Sequence, residues 1–290
     1  MSEPGRVLVT GATGTVGSHL VRCLAELGVP VRAASRNPST SGDTTGHVET
    51  ARMDLREPMS TAAALEGVER LFLATPLEQD MAELAARVVD QARHAGLRQV
   101  VRLSAFGAGG RASTRLAAVH EQTEARLRES GLVWASLRAN AFMQNFLTQF
   151  ADSIRRADRF SACQADGRVS FIDARDVAAA AACLLTAQSP PAQACFELTG
   201  SQALSNDDVA RVLSRVLGRR IRYVDMQPGE TRAALRAQGM SAWLTDIVME
   251  LYALSAAGGA SAVTSDVAKL LGRPPIAFET FVADHADAFR

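Results

Sequence analysis

The chain has 290 residues, of which 47% are hydrophobic and 21% charged, with 31 Lys+Arg balanced by 31 Asp+Glu. That length suits one large α/β domain or one domain with a smaller lobe, and zero net charge lacks the basic face of a dedicated nucleic-acid binder. No run reaches the roughly 18 consecutive apolar residues of a membrane helix, and "MSEPGRVLVTG" has neither a basic region nor a long apolar segment, so a cytoplasmic enzyme without a membrane partner is expected.

Residues 6–10, "RVLVT", read as a buried strand, followed by the glycine turn "GATGTVG" and by "SHLVRCLAELG". In that last segment Val16, Leu20, Leu24 and Leu27 recur at helical spacing, and Gly28 suits a helix stop. Residues 29–36 form a second strand, which completes a βαβ unit. The alternation continues through a strand in "VETARMDL", a helix in "STAAALEG", a strand in "VERLFLATP" and an amphipathic helix ending at Gly96. "LRQVVRLSAFGA" is a fifth strand, the next helix runs through "RLAAVHEQTEARLRESG", and "LVWASLRAN" is a sixth strand. Strands alternating with helices predict a doubly wound parallel sheet of Rossmann type, covered on both faces.

Beyond about residue 140 the pattern loosens into a smaller, mostly helical C-terminal lobe. "GRVSFIDARDVAAAAACLL" reads as a short strand leading into an alanine-rich helix, with Asp173 or Asp176 at its N-terminus. "ACFELTG" is another sheet strand, "SNDDVARVLSRVLG" a capped helix and "RIRYVDM" a late strand. The division is a nucleotide-binding core over residues 1–140 and a substrate lobe over 141–290, with segments near 169–173 and 195–199 returning to the sheet region. The four cysteines, Cys23, Cys163, Cys183 and Cys195, have apolar neighbours and no metal-ligand spacing, so buried reduced thiols and no metal site are expected.

The turn after the first strand carries the clearest chemistry. Gly11 permits a tight turn, Gly14 lets the backbone approach a pyrophosphate, and Gly17 lets helix and strand pack closely. The amides of Thr13, Thr15 and Val16 and the helix N-terminus then face the phosphates. At the end of the second strand stand Ser35 and Arg36 with no acid nearby. A carboxylate there would repel a 2′-phosphate, whereas a guanidinium pairs with one, so NADP(H) is favoured over NAD(H). Asp54 and Leu55 lie where the adenine should rest, and Ala74, Thr75 and Pro76 where the nicotinamide ribose should lie. For Arg36 a solvated charge, and for Asp54 a loop cap, are the competing readings.

With "VLVTGATGTVG", "AASRNP", "MDL", "VVRLSAFGA", "HEQTEARLRESGLVWASLRANAFMQNF" and "FIDARDVA" in hand, the chain resembles the short-chain dehydrogenase/reductase superfamily, in its atypical NmrA-like branch. That branch includes NADPH-dependent quinone, enone and imine reductases, and regulators that bind the dinucleotide without turning it over. The resemblance gives Ser104 the place of the superfamily's catalytic serine, and puts Leu116 and His120 at its tyrosine and lysine places. Tyrosine occurs only at Tyr223 and Tyr252 and lysine only at Lys269, so no Tyr-x-x-x-Lys pair exists upstream of Tyr223. His120 is then a candidate proton donor or ribose ligand, with Glu124 four residues on to orient it; a packing histidine is the plainer reading.

The resemblance also places residues 140–150 under the nicotinamide. Asn140, Phe142, Met143 and Phe146, with Trp243 from the C-terminal segment, are the expected lining of a pocket for an apolar aromatic or polycyclic small molecule. Periodicity alone gives Phe142, Phe146 and Phe150 as the inward face of a helix entrance. The function expected is a reductase that passes hydride from NADPH to an electron-poor quinone, enone or imine. The alternatives are a dinucleotide-binding redox sensor and a non-redox enzyme such as a cyclase. A homo-oligomer would be unsurprising.

Overall fold

The computed structural model describes residues 5–38, 46–110 and 114–290. The first four residues, part of the N-terminus read above as lacking a targeting region, lie outside the described residues. The chain runs β1 (Val7–Val9), α1 (Gly17–Glu26), β2 (Val31–Ser35), β3 (Val48–Arg52), α2 (Pro58–Leu65), β4 (Arg70–Leu73), α3 (Met81–His94), β5 (Gln99–Ala105), α4 (Arg115–Glu129) and β6 (Val133–Ala139). A π-helical turn (Phe146–Phe150) leads into α5 (Ala151–Ala157), β7 (Arg159–Ala162), β8 (Arg168–Val169), α6 (Ala174–Thr186), β9 (Ala194–Leu198) and β10 (Leu204–Ser205). The remainder is α7 (Asn206–Leu217), β11 (Arg222–Asp225), α8 (Pro228–Ala237), α9 (Ala242–Ala256), α10 (Asp266–Leu271), α11 (Phe278–Asp284) and α12 (Ala286–Phe289).

Seven strands form one parallel sheet in the order β3-β2-β1-β4-β5-β6-β9. Strand order therefore reverses between β1 and β4, and at that switch point the carboxyl ends of a doubly wound sheet open a crevice for ligands. Val7, Val9, Phe72, Val101, Ala135 and Leu137 face α1 and α6, while Leu8, Leu71, Leu73, Val100 and Trp134 face the α3 side. The Rossmann-type expectation holds, with apolar strands buried on both faces.

The lobe differs from the sequence reading in three places. β7 has no signal of its own: "RFSA" becomes a strand by pairing in parallel with β11. β8 pairs antiparallel with β10 in a separate two-stranded sheet, while β9 joins β6 at the edge of the main sheet. The Phe spacing marks a π-helical turn instead of an α-helix entrance, and such turns recur at functional sites. Phe146 there meets Phe150, Phe160, Phe171 and Phe278 with ring centroids 5.1–5.7 Å apart. The expectation of buried cysteines is not met: Cys183 and Cys195 are exposed, and Cys23 and Cys163 are only partly buried. No helix among the described residues is long and apolar enough to cross a membrane.

Phe160 is fully buried at the centre of the lobe core, with Ile154, Leu213, Ile221 and Phe281 in the same cluster. Phe160→Ala should cost about 3–5 kcal/mol through lost burial and a residual cavity. Urea denaturation would show it as a lower midpoint at unchanged slope; an unchanged midpoint would mean that the lobe repacks freely.

Candidate active site

The glycine turn is shaped by its backbone. Gly11 takes φ +60°, and a Cβ on Gly17 would stand 2.1 Å from the Gly11 carbonyl oxygen. Only glycine allows so close an approach of the first turn of α1 to the loop. Gly14 donates its N–H to Gly11 O at 2.8 Å, whereas the amides of Thr13, Thr15 and Val16 have no acceptor among the described residues. Thr13, Gly14 and Thr15 are exposed, and the first turn of α1 holds no acid. Free amides, a helix N-terminus and no opposing carboxylate suit a pyrophosphate.

Around this turn stand the other residues expected for the nucleotide. Arg36 is exposed just beyond β2. Asp54 Oδ1 accepts from the Arg56 backbone N–H at 2.9 Å, a loop cap that leaves its second carboxylate oxygen without a hydrogen bond among the described residues. Leu55 packs partly against the core on the α3 side. Ala74, Thr75 and Pro76 follow β4, where the Thr10 hydroxyl pins the Ala74 N–H and C=O, each at 2.8 Å.

Beside the carboxyl ends of β5 and β6 lies a cavity of about 440 Å³. Thr75, Ser104, Leu116, His120, Asn140, Phe142 and Phe146 line it. Met143 and Trp243 do not. Met143 is turned into the lobe core, and α9 presents Leu244, Ile247, Val248, Leu251 and Tyr252 to the cavity in place of Trp243. Asn140 lines the cavity but has no free hydrogen: Nδ2 donates to Ser170 Oγ at 2.8 Å and Ala260 O at 2.9 Å. It ties the sheet to the lobe.

Beneath the cavity, α4 and the sheet meet through charged side chains. Arg102, on β5, is 1% exposed and donates Nη1 to His120 O at 3.2 Å and to Ser104 Oγ at 3.4 Å, and Nη2 to His120 Nδ1 at 3.0 Å. Burial lowers its pKa to about 10, so it remains charged near neutrality. A guanidinium cannot accept a hydrogen bond. Nδ1 of His120 is therefore the acceptor, and the ring's hydrogen sits on Nε2. Burial, and then the charge of Arg102, hold His120 well below its ordinary pKa. Near neutrality it is therefore an uncharged imidazole with one N–H to donate, rather than a group that titrates there.

Glu124 is fully buried and makes its hydrogen bonds elsewhere than to that ring. Its Oε1 accepts from Ser104 Oγ at 2.7 Å and from Arg138 Nε at 3.1 Å, and its Oε2 from Arg138 Nη2 at 2.5 Å. Burial pushes its pKa up, but the hydrogen bonds from Arg138 and Ser104 outweigh that, and the carboxylate stays ionised below its usual range. Arg102, not Glu124, orients His120. Ser104 turns its hydrogen to Glu124, so toward the cavity it presents oxygen lone pairs. Arg102 and Arg138 were missed from the sequence; the available signal was a charge inside each of two apolar central strands, since a buried charge needs partners.

Asp173 caps α6 and pairs with Arg175 at 2.7 Å, while Asp176 receives the Ile276 N–H at 2.7 Å and pairs with Arg273. The "DARD" segment is thus a structural cap and ion pair.

The NmrA-like family pattern matches residues 3–270. The chain belongs to the NmrA-like family. It is 37% identical to the NAD(P)H azoreductase of Xenophilus azovorans, over 98% of this chain and 99% of that protein. The crystal structure of an NADPH-dependent quinone oxidoreductase from Escherichia coli, complexed with NADPH, is similar at TM-score 0.85 and 25% identity, covering 97% of this chain and 99% of that one. Citrobacter sp. triphenylmethane reductase is similar at TM-score 0.84 and 25% identity, covering 98% and 99%.

Two outcomes follow. Unfolded His120 takes a proton near pH 6.5 while the folded site refuses it until well below, so stability should fall as pH drops below about 6.5. In His120→Gln the denaturation midpoint should lose less between about pH 6.5 and 5, and nitrogen NMR of the wild type should show the Nε2–H tautomer at neutral pH. A titrating imidazolium near pH 7 would contradict the Arg102 lock. Separately, Gly14→Asp sets a carboxylate at the free amides and should abolish NADPH binding in a fluorescence titration, with circular dichroism unchanged.

Proposed function

We propose that this chain reduces an uncharged, electron-poor aromatic compound, a quinone or an azo compound, with hydride from NADPH. It is an NAD(P)H-dependent oxidoreductase that uses NADP(H), in keeping with its azoreductase and quinone-reductase relatives. The amides of residues 13–16 would hold the pyrophosphate, Arg36 the 2′-phosphate, Asp54 and Leu55 the adenine, and residues 74–76 the nicotinamide ribose. When bound, the nicotinamide supplies a hydride.

One observation carries the choice of acceptor. Among the described residues, no Asp, Glu, Lys or Arg lines the cavity, while Phe106, Phe142, Phe146, Phe150, Phe171 and Tyr252 do. Reducing a simple ketone creates a strongly basic alkoxide and calls for a positioned acid. Leu116 cannot be one, and neutral His120 is a poor one. A quinone yields a delocalised, weakly basic oxyanion, and an azo group would take the hydride on one nitrogen and a single proton from water on the other to give a hydrazine. Either developing charge is met by a donor that does not ionise, such as His120 Nε2–H, made a stronger donor by the cation bonded at Nδ1. The aromatic walls exclude water and hold a flat ring. A regulator that only senses the dinucleotide would have a shallow or filled cavity, which this one is not.

Loss of reduced-nicotinamide absorbance, with a small p-quinone and a neutral azobenzene as separate acceptors, tests the reading. Turnover should occur with NADPH, and His120→Ala should lower kcat about tenfold, the worth of one hydrogen bond to a charged group. Arg36→Ala should raise the KM for NADPH with little effect on that for NADH. Tight NADPH binding without turnover of any acceptor would overturn the proposal.

A further inference from the structure

The wall that the C-terminal lobe gives to the cavity is mostly apolar; besides Asn145, Gln149 and Ser255 it carries one hydrogen-bonded pair of buried amides. Gln164 and Asn206 are 8% and 4% exposed, and both line the cavity along with Phe150, Val169 and Tyr252. Asn206 Nδ2 donates to Gln164 Oε1 at 2.8 Å. That bond occupies the Gln164 carbonyl and fixes which way its amide points. Nε2, with two hydrogens, is left without a partner among the described residues. A buried donor in an apolar wall is unfavourable unless water or a ligand meets it.

Both side chains are rigidly based. Gln164 opens a turn in which Gly167 N–H donates to its carbonyl at 2.9 Å. Asp225 Oδ1 accepts from the backbone N–H of Gln164 at 3.1 Å and of Ala165 at 3.0 Å, and also from the Tyr223 hydroxyl at 2.6 Å. A Cβ on Gly167 would come within 2.3 Å of Ser255 O, so the turn is pressed against the end of α9. Asn206 is the first residue of α7, where a capping box between Ser205 and Asp208 holds the backbone. Preorganisation of this kind belongs to a site that selects a ligand.

We propose that Gln164 is a substrate subsite. Its Nε2–H donates to a neutral acceptor, a carbonyl, ether or nitro oxygen, that the reducible aromatic compound carries away from the atom receiving hydride. Asn206 is the positioning residue that keeps the donor turned inward. This inference rests on the reductase reading above and narrows its substrate class. With no cation on the wall, an anionic substituent would exchange its hydration for neutral N–H groups alone, so uncharged acceptors are favoured.

The test uses two azobenzenes of matched shape, one bearing a para-acetyl group and the other a para-isopropyl group. Comparing their kcat/KM ratio between variants cancels their different intrinsic reactivity. Gln164→Glu keeps an oxygen for the Asn206 bond but replaces the donor with a carboxylate oxygen; Gln164→Leu removes both. Each should narrow the acetyl-to-isopropyl ratio roughly three- to tenfold, mostly through KM, and Asn206→Ala should narrow it less. An unchanged ratio, or a proportional loss with both compounds, would overturn the subsite. Equilibrium binding of the same pair to NADP⁺-loaded protein separates this idea from the reductase reading. Preferential binding of the acetyl compound, lost in Gln164→Glu, without any turnover would sink the reductase and keep the subsite. Binding without preference, or no binding of either, would sink the subsite.

Discussion

A guanidinium can only donate hydrogen bonds, and Arg102 is buried on a central strand where each of those bonds must be met by protein. The His120 carbonyl, His120 Nδ1 and Ser104 Oγ accept three of them, and two of these acceptors belong to α4. The helix is therefore held over β5 at one turn. That fixes the turn before it, with Leu116 at the cavity, and the turn after it, with Glu124 between Ser104 and Arg138. Leaving such a charge unpaired costs about 3–5 kcal/mol, whereas an apolar replacement of a whole buried network is often neutral. Stability alone does not account for this layer. What it sets is the placement of α4 against the cavity.

The same layer separates charge from contact. Arg102, Arg138 and Glu124 lie behind His120 and Ser104, and among the described residues none but uncharged side chains line the cavity itself. A substrate there feels the field of the layer without having to desolvate a charged partner. That arrangement suits a ring that becomes anionic only as it accepts hydride: the ground state is neutral and apolar, and the stabilising dipoles are already in place.

Much of the fold is legible in the sequence because the central strands of the main sheet, β1, β4, β5 and β6, are mostly apolar runs, and the period changes from strand to helix along the chain. The glycine loop could be read residue by residue, since Gly11 and Gly17 are demanded by backbone geometry and not by packing. The lobe was harder. "RFSA" is a strand by virtue of β11, some sixty residues away by register with Arg222–Asp225, and the spacing of Phe146 and Phe150 is shared by an α-helix and a π-helical turn. At the site, His120 and Glu124 were visible as a helical pair, yet spacing along one helix cannot show what the facing sheet offers. Arg102 claimed the imidazole, and Arg138 with Ser104 claimed the carboxylate. Asn140 shows the converse: an amide at the cavity mouth whose hydrogens are committed to Ser170 and Ala260. Trp243 failed as a lining residue because the face that α9 turns to the cavity carries Leu244, Ile247, Val248 and Leu251 instead.

The absence of the tyrosine and lysine then has a physical account. A lysine at position 120 would set an ammonium within hydrogen-bond reach of the buried Arg102 guanidinium, and two cations in one low-dielectric layer repel strongly. A neutral imidazole avoids that repulsion and still offers an N–H toward the cavity. The positive charge of this layer is carried by Arg102, behind the imidazole, and not by the residue at position 120. Absent too is the means of lowering a tyrosine's pKa by a neighbouring ammonium, so a tyrosine at position 116 would gain little as an acid, and a leucine there extends the apolar wall. On the function proposed above, such a site favours acceptors whose product anion is weakly basic or is protonated by water, and no charged side chain among the described residues lines its cavity.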